Sequence, residues 1–283
     1  MTKRTQLANY IVSFKEIADI MTAMKNLSLI EINKIAKFMP NQEKIVETFA
    51  ESGMDFLEFN PQLSPQAQEM VPKIYVLLGS ERGFCGDFNE NVCTLSKSVM
   101  KDSDLRGVKL ILVGHKLVTK FAGDPRIIKV IPGANCAAEI PDVIFALTTF
   151  LNGMLADDAD RSILISWNII YNEIFENKVQ AKSLSPLLEL SKDKYKKSFA
   201  FAPELNQRPK EFFAKFLDEY FFATLTHIFY QSLMAENNQR LHHMDGAITR
   251  LEKKCEQLKN QLNLLRQEEI TEEIEIILLS SNF

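Results

Sequence analysis

The chain has 283 residues, 46% of them hydrophobic and 25% charged, with a formal net charge of −4. This is ordinary globular composition, long for one compact domain and suited to one domain with an extension. The slight acidity excludes a general basic field for nucleic acid or anionic lipid, and no run of 18 apolar residues is present to span a membrane.

Residues 3–58 carry apolar side chains at helical spacing, from Leu7, Ile11 and Phe14 through Ile17, Ile20, Met21, Met24, Leu27, Ile30, Ile32 and Ile35. The stripe is wide. Pro40 stands inside it, and a proline deep in a helix costs about 3 kcal/mol, so a bend or break is expected near Met39. The pattern resumes through Ile45, Val46, Phe49 and Leu57. Pro61, Pro65 and Pro72 mark a linker.

Residues 73–200 differ. KIYVLL (73–78), VKLILVG (108–114), IIKVI (127–131) and SILISWNII (162–170) are short, apolar, β-branched runs. Helical stretches lie between them, roughly 87–101, 115–122 and 141–156. Such alternation predicts a mostly parallel sheet covered on both faces. KVQAKSL (178–184) follows closely and reads as an antiparallel edge strand.

From Pro209 onward there is no proline and one glycine, Gly246. Leu241, Met244, Ile248, Leu251, Cys255, Leu258, Leu262 and Leu265 are spaced alternately by 3 and 4, an uninterrupted coiled-coil seam. Left in water, these eight side chains would forgo roughly 1.5–3 kcal/mol each, too much against a total stability of about 5–15 kcal/mol. The other long amphipathic helix is the N-terminal one. The two ends are therefore expected to pair as an antiparallel coiled coil, with a homodimeric coiled-coil scaffold as the competing solution.

The candidate chemistry is sparse. LLGSERGFCGDFNENV (77–92) follows a strand and opens a helix, where α/β folds bind phosphates. Its glycines, Gly79, Gly83 and Gly86, fit neither G-x-G-x-x-G nor the P-loop pattern, and no acidic residue follows Val113-Gly114-His115 to hold a ribose. A dinucleotide-binding enzyme with a coiled-coil arm is thus the other alternative, and a tight strand-to-helix turn the plainer reading. His242 and Asp245 can share a helix face, but no third metal ligand accompanies them. His115 and His227 are isolated. Cys85, Cys93, Cys136 and Cys255 form no C-x-x-C pair and read as reduced thiols. No catalytic residue, metal site or cofactor is expected. The N-terminus, MTKRTQLANYIVSF, lacks the apolar core of a signal peptide, and Glu16 and Asp19 disfavour a transit peptide. Phe212, Phe213, Phe216, Phe221, Phe222 and Phe229 are expected to pack on the α/β domain and the opposite helix.

Four motifs in register resemble the γ subunit of the rotary F-type ATP synthases, over nearly the whole chain. They are Ile17, Ile20, Ala23 and Met24 in EIADIMTAM; the turn SERGFCGDFN (80–89); AENNQRLHHMDGA with Ala235, Glu236, Arg240, Met244 and Ala247; and Arg266, Gln267, Ile270, Thr271, Glu273 and Ile276 near the end. The resemblance implies a long antiparallel coiled coil of the N-terminal (1–58) and C-terminal (209–283) helices, plus a small Rossmann-like α/β foot (73–200). It implies a non-catalytic rotor inside a ring of three α and three β subunits. The foot would meet the ε subunit and the membrane c-ring at the cytoplasmic face of a bacterial inner membrane, as a peripheral protein. Ion flow would turn it, and Met24, Arg266, Gln267 and Thr271 would contact the catalytic subunits. Arg82, Gly83, Cys85, Gly86 and Asn89 carry the foot-domain turn. Asp19, Asn26-Leu27-Ser28 and Pro40 depart from the family pattern, as in a divergent branch, of which the sodium-using alternative F-type enzymes are one candidate.

Overall fold

The structure is a computed structural model that describes residues 3–63, 74–101, 108–157, 167–175, 178–184, 202 and 204–281. In chain order the elements are α1 (Lys3–Phe59), a 3₁₀ turn (Pro61–Leu63), β1 (Ile74–Leu78), α2 (Phe88–Lys101), β2 (Lys109–Val113), α3 (His115–Val118), β3 (Ile127–Ile131), a second 3₁₀ turn (Ala137–Glu139), α4 (Ile140–Asp157), β4 (Trp167–Phe175), β5 (Lys178–Leu184) and α5 (Pro209–Ser281). Pro65, Pro72 and residues 162–166 of the expected strand run lie outside the described residues. The chain divides into two compact units: Met1–Leu29 with Arg240–Phe283, and Ile30–Gln239.

The second unit is built on one sheet, in the order β3-β2-β1-β4-β5. β1 pairs in parallel with β2 and β4, and β2 with β3, while β5 runs antiparallel to β4 along the edge. Every residue of β1 is buried, because successive side chains point to opposite faces and both faces are covered. Ile74, Val76 and Leu78 pack with Ile140, Val143, Ile144, Leu147 and Leu151, and with Ile35 of α1 and Leu225, Ile228, Phe229 and Leu233 of α5. Tyr75 and Leu77 face Val92, Cys93 and Met100 of α2 and Leu117 of α3. Thus the Ile30–Phe59 part of α1 and the Pro209–Gln239 part of α5 are layers of this unit.

The aromatic run divides. Phe213 and Phe216 join Phe56, Leu57 and Tyr220 in a separate cluster, with Phe212 packed against it, and Phe56 stacks on Phe213 with ring centroids 5.4 Å apart. Phe221 and Phe229 belong to the sheet-facing core, and Phe222 is exposed.

The expected break at Met39 does not occur: α1 runs through Pro40. Proline removes one donor, leaving the Ala36 carbonyl without its helical partner. Ala36 and Pro40 both lie on the solvent side, where water satisfies that carbonyl. On the other face Ile35 is buried and Met39 packs against the same core, so the turns beside the proline are anchored and the helix continues through it.

The first unit is a helix pair. Arg4 reaches Glu269 at 2.9 Å, and Lys25 pairs with Asp245, so the two helices run antiparallel within it. On α1 the less exposed residues include Leu7, Ile11, Phe14, Ala18, Met21, Lys25 and Ser28, a set again spaced alternately by 4 and 3, with Ala8 and Met24 beside it. All eight seam residues of α5 are buried or half-buried, with Met244, Cys255 and Leu258 the most enclosed. The seam is covered by the chain's own N-terminal helix, so the exposed seam that a homodimer would have to cover does not arise.

Candidate functional site

The helix pair places Met24, Arg266, Gln267 and Thr271, the residues the resemblance singles out, at two levels. Met24 is half-buried beside the Lys25–Asp245 pair. The Lys25 ammonium, by hydrogen bond and charge, holds the Asp245 carboxyl below its ordinary value. Arg266, Gln267 and Thr271 lie at the Arg4–Glu269 level and are exposed. About 20 residues of helix separate the levels, roughly 30 Å at 1.5 Å per residue. The structure therefore brings Arg266, Gln267 and Thr271 together and leaves Met24 apart from them. The Thr271 hydroxyl donates to the Gln267 carbonyl at 2.9 Å, so its oxygen is left mainly as an acceptor. Arg266 and Gln267 remain outward-facing donors.

Beyond this level α5 has no described partner on α1, which begins at Lys3. Residues 270–280 are all exposed. They include Ile270, Ile274, Ile276, Ile277, Leu278 and Leu279, the last at 69%. On α1 the family-motif residues Ile17 and Ile20 also face outward, Ile20 at 61%. The stripe is wider than one seam needs, and the surplus forms an uncovered apolar surface.

The SERGFCGDFN turn is built by hydrogen bonds among its own small polar groups. The Ser80 amide donates to Asn89 Oδ1 at 2.9 Å, and Asn89 Nδ2 donates to Ser80 Oγ at 2.8 Å. The buried Cys85 thiol donates to Ser80 Oγ at 3.2 Å and lies 3.8 Å from the Arg82 carbonyl. Gly86 has φ +53, and a Cβ there would come within 3.1 Å of Gln239 Nε2. The left-handed backbone favours glycine there, whereas the contact with the flexible Gln239 side chain would need only a small shift. Cys85 and Phe88 pack on Ala235 of α5, so the second and third motifs meet inside one unit. Phe84 has φ 63 and is 56% exposed, an unusual conformation for a bulky residue. Arg82 is exposed and Gly83 half-buried.

Glu81 is visible in the sequence only as a conservative change within the SERGFCGDFN turn, and it organises the carboxyl ends of three strands. Its Oε2 accepts the Gly133 amide at 2.8 Å and the His115 amide at 3.2 Å, and its Oε1 lies 2.6 Å from His115 Nδ1. Burial pushes the Glu81 carboxyl up. The Gly133 and His115 amides, with the His115 ring, outweigh this, so the carboxyl lies below its ordinary value. The loops approach closely: a Cβ on Gly114, whose φ is +94, would lie 2.5 Å from the Gly79 carbonyl oxygen. Amides at strand ends are where a phosphate would bind in such a fold. Here an internal carboxylate takes them, which argues against the dinucleotide alternative. The signal available was an acidic residue three positions after a buried strand, amid glycines.

A sequence model of the family described as ATP synthase matches residues 3–280. Among curated relatives, the ATP synthase gamma chain of Clostridium botulinum (strain Langeland) is 26% identical over 270 residues, covering 92% of each chain. That of Clostridium beijerinckii is 29% identical over 210 residues, 71% of this chain and 69% of the relative. That of Geobacter metallireducens is 22% identical and covers 97% and 96%. A chain in the Euglena gracilis mitochondrial ATP synthase (OSCP/F1/c-ring) has the same fold, with a TM-score of 0.63 at 14% identity, covering 99% of this chain and 93% of that one. One in the central stalk and c-ring of the Tetrahymena thermophila enzyme gives 0.54 at 17% identity, covering 81% and 99%. The chain belongs to the ATP synthase gamma family. Among the described residues, no helix is long and apolar enough to cross a membrane.

Proposed function

We propose that this chain is the central rotor of an F1-type ATP synthase. It couples ion-driven turning of a membrane c-ring to the conformational cycle of three catalytic β subunits alternating with three α subunits. The shaft is the helix pair of 1–58 and 209–283. The foot is the α/β domain, 73–200, which joins the ε subunit and the ring. The chain contributes no catalytic group; it acts as a peripheral subunit at the membrane face, bacterial inner membrane by its relatives.

The observation that carries this reading is the uncovered apolar surface on the helix pair. Ile17 and Ile20 on α1, and Ile270 through Leu279 on α5, face outward. Large apolar side chains left in water at these positions mark places for partners. A sleeve of apolar contacts is non-directional and lets an axle turn. Met24 at one level, and Arg266, Gln267 and Thr271 at the other, add directional contacts with catalytic subunits. Charge-assisted hydrogen bonds of the kind Arg266 can form are worth roughly 1.5–3 kcal/mol each.

The test is reconstitution with α and β subunits and single-molecule observation of a probe fixed to the foot. ATP-driven rotation with one copy of this chain per three αβ pairs is expected, and the pure chain should hydrolyse no ATP. Truncation from Arg266 should weaken torque and coupling. An assembly that forms and rotates equally well without residues 266–283 removes the assigned role of that end. An assembly that excludes this chain overturns the reading.

A further inference from the structure

We propose that the loop from Pro132 to Ala137 is a latch held by three carboxylates, which fixes the rotational register of α1 on the sheet, and that Glu31 is its positioning residue for torque transfer. This rests on the rotor reading. Three alternate amides of the loop each donate to a different carboxylate. Gly133 donates to Glu81 Oε2 at 2.8 Å, Asn135 to Glu139 Oε2 at 2.7 Å, and Ala137 to Glu31 Oε2 at 3.1 Å. The acceptors come from the turn after β1, from the 3₁₀ turn before α4, and from α1. The Asn135 side-chain amide adds a bond to Glu139 at 3.1 Å.

The far side of the loop is fixed to the sheet. Gly114 N–H donates to the Ile131 carbonyl at 2.9 Å, and a Cβ on Gly133 would lie 3.2 Å from Gly114 Cα. The near side is fixed to α1. The Glu31 side chain is only 14% exposed, and its Oε1 accepts Lys34 Nζ at 2.8 Å.

Glu31 and Ile35 are one turn apart on the same face of α1. Ile35 is buried in the sheet-facing core with Ile140, Ile144 and Leu233. Apolar packing of that kind turns the Ile35 face of α1 to the core but, being non-directional, holds its exact azimuth less tightly than a bond of fixed geometry does. A charge-assisted hydrogen bond has a fixed geometry. The Glu31–Ala137 bond, carried through the loop to Glu81, ties the azimuth of α1 to the ends of β1, β2 and β3. A rotor turned at its α/β domain needs such a tie to hand the turn to its helices.

Hydrogen exchange on the full chain tests the latch directly. In Glu31→Ala the Ala137 amide should exchange about tenfold faster or more, as expected for loss of a charge-assisted bond, while the Gly133 amide keeps its protection. Glu31→Gln retains an acceptor and should restore most of it. Glu47→Ala, on the exposed side of α1, should change neither. In the complex assembled with its partner subunits, Glu31→Ala should still hydrolyse ATP and lose ion pumping per ATP, with Glu31→Gln rescuing the ratio. Unchanged Ala137 exchange, or equal pumping per ATP in Glu31→Ala and wild type, overturns the latch. A wild-type complex that hydrolyses ATP and never couples it overturns the rotor reading instead, and the torque role of Glu31 falls with it.

Discussion

The two units solve the problem of hydrophobic burial in opposite ways. In the Ile30–Gln239 unit, one sheet is covered on both faces, and the apolar runs of β1 and β2 end almost wholly inside. In the unit formed by Met1–Leu29 and Arg240–Phe283, a single seam is buried and several large apolar side chains are left outside. Leu77 is fully enclosed, whereas Ile276 is 66% exposed. Both units use the same residue types. The difference teaches that apolar content alone does not report a core: in one unit it holds the fold together, and in the other it is directed at something else.

The sharpest way to break the comparison is truncation at matched depth. Leu77→Ala removes a residue enclosed among Tyr75, Val92, Leu110 and Leu117 and should cost about 2–5 kcal/mol by urea unfolding. Met244→Ala removes the most enclosed residue of the seam. Two helices can close over a void more easily than a two-faced sheet can, so about 2 kcal/mol, the low end of that range, is expected. If Met244→Ala cost as much as Leu77→Ala, the helix pair would be a core in the same sense as the sheet.

β1, β2 and β3 were legible in the sequence as short β-branched runs between helices, since buried parallel strands need no polar side, and β5 from its alternation; β4 runs on to Phe175, five residues past the expected run, because YNEIF (171–175) mixes polar and apolar residues. The C-terminal helix was legible from its 3-4 spacing. Pro40 misled because a local propensity was weighed without knowing that Ile35 and Met39 anchor the turns beside it. Gly83 and Gly86 suggested a tight strand-to-helix turn by themselves, while Arg82, Cys85 and Asn89 entered only through the family resemblance. The roles of Glu81 and Glu31 were not legible, since their partners, Gly133 and Ala137, are far away in sequence. Backbone amides also leave no residue signature, so no spacing rule reports such pairs.

A smaller effect separates the units by pH. Glu81 and Glu139 both lie below the ordinary carboxyl value. In Glu81, burial is outweighed by the bonds from Gly133 and His115. In Glu139, the bond from the Asn135 amide leads, burial opposes it, and the Asn135 side chain, Cys136 and the charge of Arg82 assist. Depressed folded values mean that the unfolded chain takes up protons first. Their contribution is therefore complete above about pH 4.3, the ordinary glutamate value, and is lost as pH falls through the depressed values. Thermal unfolding of the sheet unit should lose stability on that acid limb, and Glu81→Gln should flatten it. The helix-pair signal, followed at a probe near Met244, should be unaffected by that substitution.

The smallest expected effect is the most discriminating. Ile276→Ser and Ile277→Ser remove apolar side chains already in water, so in the isolated chain each should fall within about ±0.5 kcal/mol, as for surface positions without special features. In an assembled complex the same substitutions would strip the apolar sleeve, and each should loosen the chain's hold measurably by titration against α and β subunits. The two readouts must diverge for the tip to be a contact surface. Destabilisation of the isolated chain on the scale of Met244→Ala would mean that the tip is already covered without partners, by a second copy for example. The contrast between a filled core and an outward-directed one would then disappear.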